Sequence, residues 1–377
     1  MQAQEAVKRG IRATAARLPD LFARGTRLVV GFSGGQDSSC LLHALVNSRL
    51  GLDIVAVHVD HALRADSAAA AQRVVDSGLA MGVPVEVGRV DVAAYRRGLP
   101  GWSVQQAARA ARYQLLAAVA SKKRAAAVLV GHTADDQAET LLINLLRGTG
   151  MAGLAGMRMD ETIALDKLGP TVVLPEIYAH VQPALEPTMI RVARPLLSIP
   201  RATTRAYCDH VGLALVEDPS NQSRTYTRNR VRLDLLPVLE GFNPAIRAVL
   251  ARTADLAAED VAVLDALVDA LHTSLARTSQ PDVVEYDLPR WHAQPRALQR
   301  RLLRRGLDWL VGGLVDVRAA PIDDALDVVQ SGSPAQTYHL PYGVELCVLS
   351  DTFVLRLHGR ARPRQRQKTW DVEGPRV

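Results

Sequence analysis

Three short segments carry residue types that could handle phosphate and charge. The first is Ser33-Gly34-Gly35-Gln36-Asp37-Ser38, followed by the apolar run Cys40 to Val46. Adjacent glycines let a backbone turn sharply and approach an anion, serine hydroxyls donate, and a following helix adds free N–H groups and its positive dipole end. The residues Ser33, Gly34, Gly35, Gln36, Asp37 and Ser38 therefore read as a phosphate cradle, against the plainer reading of a glycine-rich strand-to-helix turn. No GxxxxGK(S/T) pattern is present, so no lysine reaches the phosphates. A Mg²⁺ ion or nearby arginines must offset their charge, and Asp37 is the carboxylate placed for the metal.

The second segment is Gly131-His132-Thr133-Ala134-Asp135-Asp136-Gln137-Ala138-Glu139-Thr140. On a 3.6-residue helix His132, Asp136 and Glu139 fall at i, i+4 and i+7, with Ala138, Leu141 and Leu145 turned to a core. An imidazole and two carboxylates on one face suit a cationic substrate. Helix capping and metal ligation are the competing readings. The third segment, His58-Val59-Asp60-His61-Ala62-Leu63-Arg64, offers His58 and Asp60 to the adenosine part of a nucleotide, or is a solvated strand end.

The elements that must hold these segments are legible. Arg27–Phe32, Asp53–Val59, Val83–Val90 and Ala125–Val130 are short apolar runs, each followed by a helical pattern, which predicts a doubly wound, mostly parallel α/β sheet. Ligands of such sheets sit beyond the carboxyl ends of the strands, where all three segments lie. From Asp160 to Val192 the pattern weakens and prolines recur, predicting an irregular excursion. A helix is predicted from Pro200, N-capped by Ser198 and ended by Gly212, then a mainly helical region from Arg224 to Leu310 with Val249, Leu256, Val263, Leu267 and Leu271 on its apolar face. Gln336 to Leu357 returns to strand character around Pro341 and Gly343, and a basic tail starts at Arg360.

Composition narrows the classes further. The 377 residues carry 45 basic and 39 acidic side chains, a net +6 too small and too arginine-biased to name a partner. Cys40, Cys208 and Cys347 are far apart in the chain and form neither a disulfide framework nor a CxxC site. No apolar run reaches the roughly 18 residues of a membrane span, and no secretory leader opens the chain, so a cytoplasmic protein without membrane association is expected.

SGGQDS resembles the pyrophosphate loop of the N-type ATP pyrophosphatases. Together with HVDHALR, Arg109 to Tyr113 in AARAARY, GHTADDQAET, Arg147-Gly148-Thr149-Gly150, Arg194-Pro195-Leu196-Leu197, Glu217-Asp218-Pro219-Ser220-Asn221 and Arg228-Asn229-Arg230-Val231-Arg232, it resembles the tRNA(Ile)-lysidine synthetase family. The resemblance implies ATP and Mg²⁺ as cofactors, and as partners free lysine and a tRNA(Ile) with a CAU anticodon. ATP adenylates O2 of the wobble cytidine, and the lysine side-chain amine then attacks C2. Arg112 would offset charge at the α-phosphate, Asp136 and Glu139 would hold the lysine cation, and His132 would lie beside the phosphates or the acceptor base. Arg224, Arg228, Asn229 and Arg232 would meet the tRNA, and Arg296, Arg300, Arg301, Arg304 and Arg305 form a second basic cluster. The implied division is an adenylating domain at 1–215, a helical tRNA-binding domain at 216–330 and a small β-rich segment with the tail at 331–377. Another tRNA-modifying enzyme of the same superfamily, such as a 2-thiolase, and a non-catalytic nucleotide- or RNA-binding module are the alternatives. A homodimer is one admissible assembly.

Overall fold

The computed structural model describes residues 1–64, 66–165, 168–169, 189–216, 223–312, 319–332 and 337–358. Glu217–Asn221 and the basic tail, both singled out in the sequence, lie outside them. The chain divides into two compact units, Met1–Glu259 and Asp260–Val377.

The first unit is built on a six-stranded sheet in the order β3-β2-β1-β4-β6-β5. Its strands are β1 (Arg27–Gly31), β2 (Asp53–Asp60), β3 (Val85–Arg89), β4 (Ala127–Leu129), β5 (Asp160–Ala164) and β6 (Met189–Ala193). All pair in parallel except β5, which runs antiparallel along the edge beside β6. The first four runs thus form strands as expected. The Asp160–Val192 stretch is more regular than its prolines suggested, because its two ends supply the β5–β6 pair.

Helices cover both faces. Leu28 and Val30 of β1 enter a core with α1 (Gln2–Arg17), α2 (Gln36–Val46), α3 (Ser67–Ala80) and, further along the chain, Tyr207 and Cys208. Val29, one residue out of phase, joins Val57, Val128 and Val192 against α5 (Val104–Lys123), which follows the short α4 (Val92–Arg97). Successive strand residues point to opposite faces, so near-continuous apolar runs are what a doubly covered sheet requires.

After β4 come α6 (Ala134–Leu146) and α7 (Met151–Leu154), and after β6 comes α8 (Arg201–Val211). Gly212 ends α8 in the left-handed region, as predicted. The N-cap is Pro200 and not Ser198; the first free N–H, that of Arg201, is satisfied by the Asp135 carboxylate of α6 at 2.7 Å. Leu145 is about half exposed, so the core face of α6 ends at Leu141 and Leu142. Then follow α9 (Thr227–Arg230), a π turn (Val231–Leu235), α10 (Leu236–Phe242) and α11 (Ile246–Leu275), within which the first unit ends. The expected apolar face of α11 is not the buried one. Leu256, Val263 and Leu267 are exposed, while Ala251, Ala254, Ala257, Val261 and Val268 are buried, small residues having been passed over for large ones.

The second unit holds β7 (Ala276–Gln280), β8 (Val283–Asp287), α12 (Leu288–His292), α13 (Arg296–Val311), α14 (Ala319–Ser331), β9 (Thr337–Leu340), β10 (Val344–Val348) and β11 (Thr352–Leu357). The strands form an antiparallel sheet in the order β7-β8-β11-β10-β9. The C-terminal strands are therefore not a separate piece: β11 pairs with β8. Tyr286, Phe353 and Leu355 pack with Trp291 and with Leu302, Leu303 and Leu307 of α13. The arginines of α13 pair within the unit: Arg296 with Asp327, Arg300 with Asp323, Arg301 with Asp265 and Arg305 with Asp269.

The turn from β1 into α2 depends on Gly34. Its φ is +76°, and a Cβ there would stand 3.0 Å from side-chain carbons of Val74 and Val216. Left-handed backbone costs a residue with a Cβ about 1–2 kcal/mol. Gly34→Ala is therefore expected to lower unfolding free energy by at least that much in urea titrations.

Candidate active site

The strand order places the site. β2 lies on one side of β1 and β4 on the other, so the connections leaving β1 and β4 turn apart and open a crevice at their carboxyl ends. The Ser33–Ser38 loop occupies one wall of it and Gly131–Thr133 the other. They touch at Gly131, where a Cβ would lie 2.8 Å from the Asp37 carbonyl oxygen.

The loop is pre-shaped by its own hydroxyls. Ser33 N donates to Ser38 Oγ at 3.2 Å, Ser38 Oγ donates to the Gly35 carbonyl at 3.0 Å, and Ser39 Oγ to that of Gly34 at 3.1 Å. No side chain caps the N-terminus of α2, so its first N–H groups are available to an anion. Asp37 accepts from Thr204 Oγ1 and from Arg201 Nε at 3.1 Å. Burial still pushes its carboxyl up despite Arg201, the condition of a carboxylate short of cation.

At the head of α6, Asp136 Oδ2 accepts from both N and Oγ1 of Thr133 at 2.9 Å, a capping box. Its other oxygen accepts from Arg201 Nη2 at 2.9 Å and Arg228 Nη2 at 3.2 Å. One oxygen of the carboxylate thus caps the helix, as the capping alternative had it, while the other pairs with guanidiniums of the chain itself. Glu139, with no exposed surface, accepts from Arg228 Nε at 2.8 Å, Arg232 Nε at 2.6 Å and Arg201 Nη1 at 3.4 Å. Three carboxylates (Asp37, Asp136, Glu139) thereby meet three guanidiniums (Arg201, Arg228, Arg232). Burial opposes the charge of Asp136, but Arg201 and Arg228 hold its carboxyl well below the usual range.

Two further arginines lie near His132. Arg112 on α5 is half-buried, and its Nε is sealed from solvent without a hydrogen-bond partner among the described residues. Burial pushes its pKa down, the mark of a guanidinium in want of an anion. Arg194, with no exposed surface, donates to the Arg158 carbonyl at 2.6 Å and to Glu161 Oε2 at 2.9 Å. His132 lies before the helix and not on it, since α6 begins at Ala134.

Other expected residues sit differently. His58 Nδ1 donates to the Phe32 carbonyl at 3.0 Å. Asp60 accepts from Ala62 N at 2.9 Å, holding the turn that its loop makes. Arg224 precedes α9, so it shares no helix face with Arg228 and Arg232; it is exposed and paired with Asp234. Asn229 is buried and donates to the Ser223 carbonyl at 2.7 Å. Arg201 and Arg194 were missed as site residues; the signal for Arg201 was an arginine opening a helix directly after a proline. Cys40 and Cys208, remote in sequence, meet between α2 and α8: their hydrogen bond and burial push the Cys40 thiol up, and Cys208 Sγ donates to the Gln36 carbonyl at 3.3 Å. Among the described residues no group of three or more His, Cys, Asp or Glu is arranged for a metal.

Removing the charge of a buried carboxylate leaves its partners uncompensated, at about 3 kcal/mol or more. Glu139→Gln is expected to show that loss in denaturant unfolding, with Arg232→Ala partly restoring stability in the double variant.

Comparison with known proteins agrees with this geometry. A PP-loop domain family model matches residues 5–239. A tRNA(Ile)-lysidine synthase of Thermosynechococcus vestitus is 36% identical over 86% of this chain and 84% of its own. One of Salinispora tropica is 42% identical over 74% of each chain, and one of Dehalococcoides mccartyi 34% identical over 85% of this chain but only 64% of its own length. Among solved structures, a U34-tRNA thiolase of Methanococcus maripaludis shares the fold, with a TM-score of 0.52 at 17% identity over 68% of this chain and 78% of that one. The chain belongs to the tRNA(Ile)-lysidine synthase family, with a PP-loop domain at its core.

Proposed function

We propose that the chain carries out the reaction for which its relatives are named: ATP-dependent ligation of lysine to C2 of the wobble cytidine of a CAU-anticodon tRNA(Ile), in the cytoplasm. The carrying observation is the meeting, at the carboxyl ends of β1 and β4, of a lysine-free phosphate loop, the acidic pair on α6 and Arg112, whose charge is felt by Asp136 and His132 and whose Nε has no partner among the described residues. The loop and Arg112 offer donors to phosphate, and Asp136 and Glu139 offer carboxylates to an ammonium. An interaction module without turnover has no use for both, and no observation favours thiolation.

In the first half-reaction, cytidine O2 attacks the α-phosphate and pyrophosphate leaves toward Ser33–Ser38 and the α2 N-terminus. Arg112 meets the charge that develops on the α-phosphate. Asp37, whose carboxyl burial leaves short of cation, would hold Mg²⁺ against the pyrophosphate oxygens, supplying charge neutralisation when bound. In the second, the lysine ammonium gives up a proton to solvent, the neutral amine attacks C2, and AMP leaves with the electron pair of the C2–O2 bond. Asp136 and Glu139 hold the ammonium end, which requires at least one of their guanidiniums to turn outward; Arg228 and Arg232, on the segment after α8, would turn to tRNA phosphates. The first unit through β6 and α8 is the adenylating part, and the segment from Arg224 onward holds the RNA.

The test combines Mg-ATP, labelled lysine and a CAU-anticodon tRNA(Ile) transcript. Label in the tRNA is expected; a folded protein that leaves the tRNA unlabelled overturns the reading. Asp136→Asn is expected to raise the lysine KM by about 10- to 100-fold, the worth of a charge-assisted hydrogen bond, with ATP binding retained. Steady-state kinetics with an unchanged lysine KM would remove Asp136 from that role.

A further inference from the structure

The buried Arg194 has no role in the reaction just described, yet each of its three side-chain nitrogens makes a hydrogen bond. Nη1 and Nη2 donate to the Arg158 carbonyl and Glu161. Its backbone N–H donates to the Met159 carbonyl at 2.8 Å, so the start of the edge strand β5 grips both ends of the residue. Its Nε donates to His132 Nδ1 at 3.3 Å.

A guanidinium donates only; it accepts nothing. The partner nitrogen must therefore carry a lone pair, which leaves the proton of a neutral imidazole on Nε2. We propose that Arg194 is a positioning residue that fixes His132 as the Nε2–H tautomer, making it a hydrogen-bond donor to the reacting oxygen or phosphate and not a general base. This rests on the lysine-ligating reading for its effect on activity, though not for the tautomer. It also gives the edge strand a purpose, since Arg158 and Glu161 hold the guanidinium at the imidazole while Met159 holds the backbone of Arg194.

The surroundings point the same way. Burial holds His132 well below the ordinary histidine range; Asp136 of α6 favours the imidazolium, while Arg194, Arg112 of α5 and Arg228 of α9 oppose it. A neutral donor does not need to gain or lose a proton during the reaction, which suits a site whose phosphates arrive and leave.

The experiment uses full-length protein with ¹⁵N-histidine labelling, His132 being assigned by its loss in His132→Gln. Expected for the wild type is an unprotonated Nδ1 and a protonated Nε2 at neutral pH, read without any substrate. Arg194→Gln keeps a donor and is expected to retain that pattern. Arg194→Met removes donor and charge; a mixed or inverted tautomer is expected, with the acid limb of kcat/KM for lysine ligation moved up by about one pH unit. Glu161→Gln, on the half-exposed side of the pair, is the fallback should Arg194→Met not fold: it strips Arg194 of its counter-charge, so the Nε2–H tautomer is expected to persist with the acid limb moved down, and an acid limb moved up overturns the proposal. A wild-type His132 protonated on Nδ1, or an Arg194→Met enzyme with unchanged tautomer and unchanged acid limb, overturns the proposal.

Discussion

Glu139 is a carboxylate with no exposed surface, and a charge so placed persists only if cations come to it. The arginines that do so arrive from the start of α8, from α9 and from the π turn, 62, 89 and 93 residues away in the chain. Arg201 reaches on to Asp37 in the phosphate loop, and the Asp135 carboxylate caps its backbone. One electrostatic requirement thus binds α2, α6, α8 and α9 around the carboxyl ends of β1 and β4. Those two strands are neighbours at the point where the strand order reverses, so the crevice is where the backbone itself leaves room.

Within the crevice the carboxylates and arginines differ in how far they are satisfied. Asp136 and Glu139 are matched by guanidiniums, burial outweighs Arg201 at Asp37, and the sealed Nε of Arg112 has no partner among the described residues. His132 feels both sides, its charge favoured by Asp136 and opposed by Arg112 and Arg194. The pairing of the carboxylates with arginines offsets the cost of burying them. It also means that any cationic ligand competes with an internal guanidinium.

The edges of the fold were harder to anticipate than its centre. β5 and β6 flank a proline-rich stretch whose composition reads as loop, yet they complete the sheet and secure Arg194 through the Arg158 and Met159 carbonyls. In the second unit, β7 and β8 were absorbed into a helical reading because each is only five residues long and polar on one face. Strand character there exists only in pairing: β8 is held by β11, some seventy residues on. On α11 large side chains suggested one face, but alanines form the buried one, since close approach selects for small residues.

Much of the protein was determined locally. Continuous apolar runs set four parallel strands, paired glycines and serines set the phosphate loop, and Gly212 set the end of α8; each depends on backbone sterics or burial within a few residues. Family membership was legible in the same motifs. What tertiary structure decided were the partnerships: that Arg228 and Arg232 turn to Glu139, that Asp136 caps and pairs at once, that Asp60 and Asn229 serve their own loops, that Cys40 meets Cys208, and that Arg194 aims at His132. The reason is physical. A helix pattern or a turn arises from neighbours in the chain, whereas the cost of burying a charge is settled only by whatever the completed fold brings within about 3 Å of it.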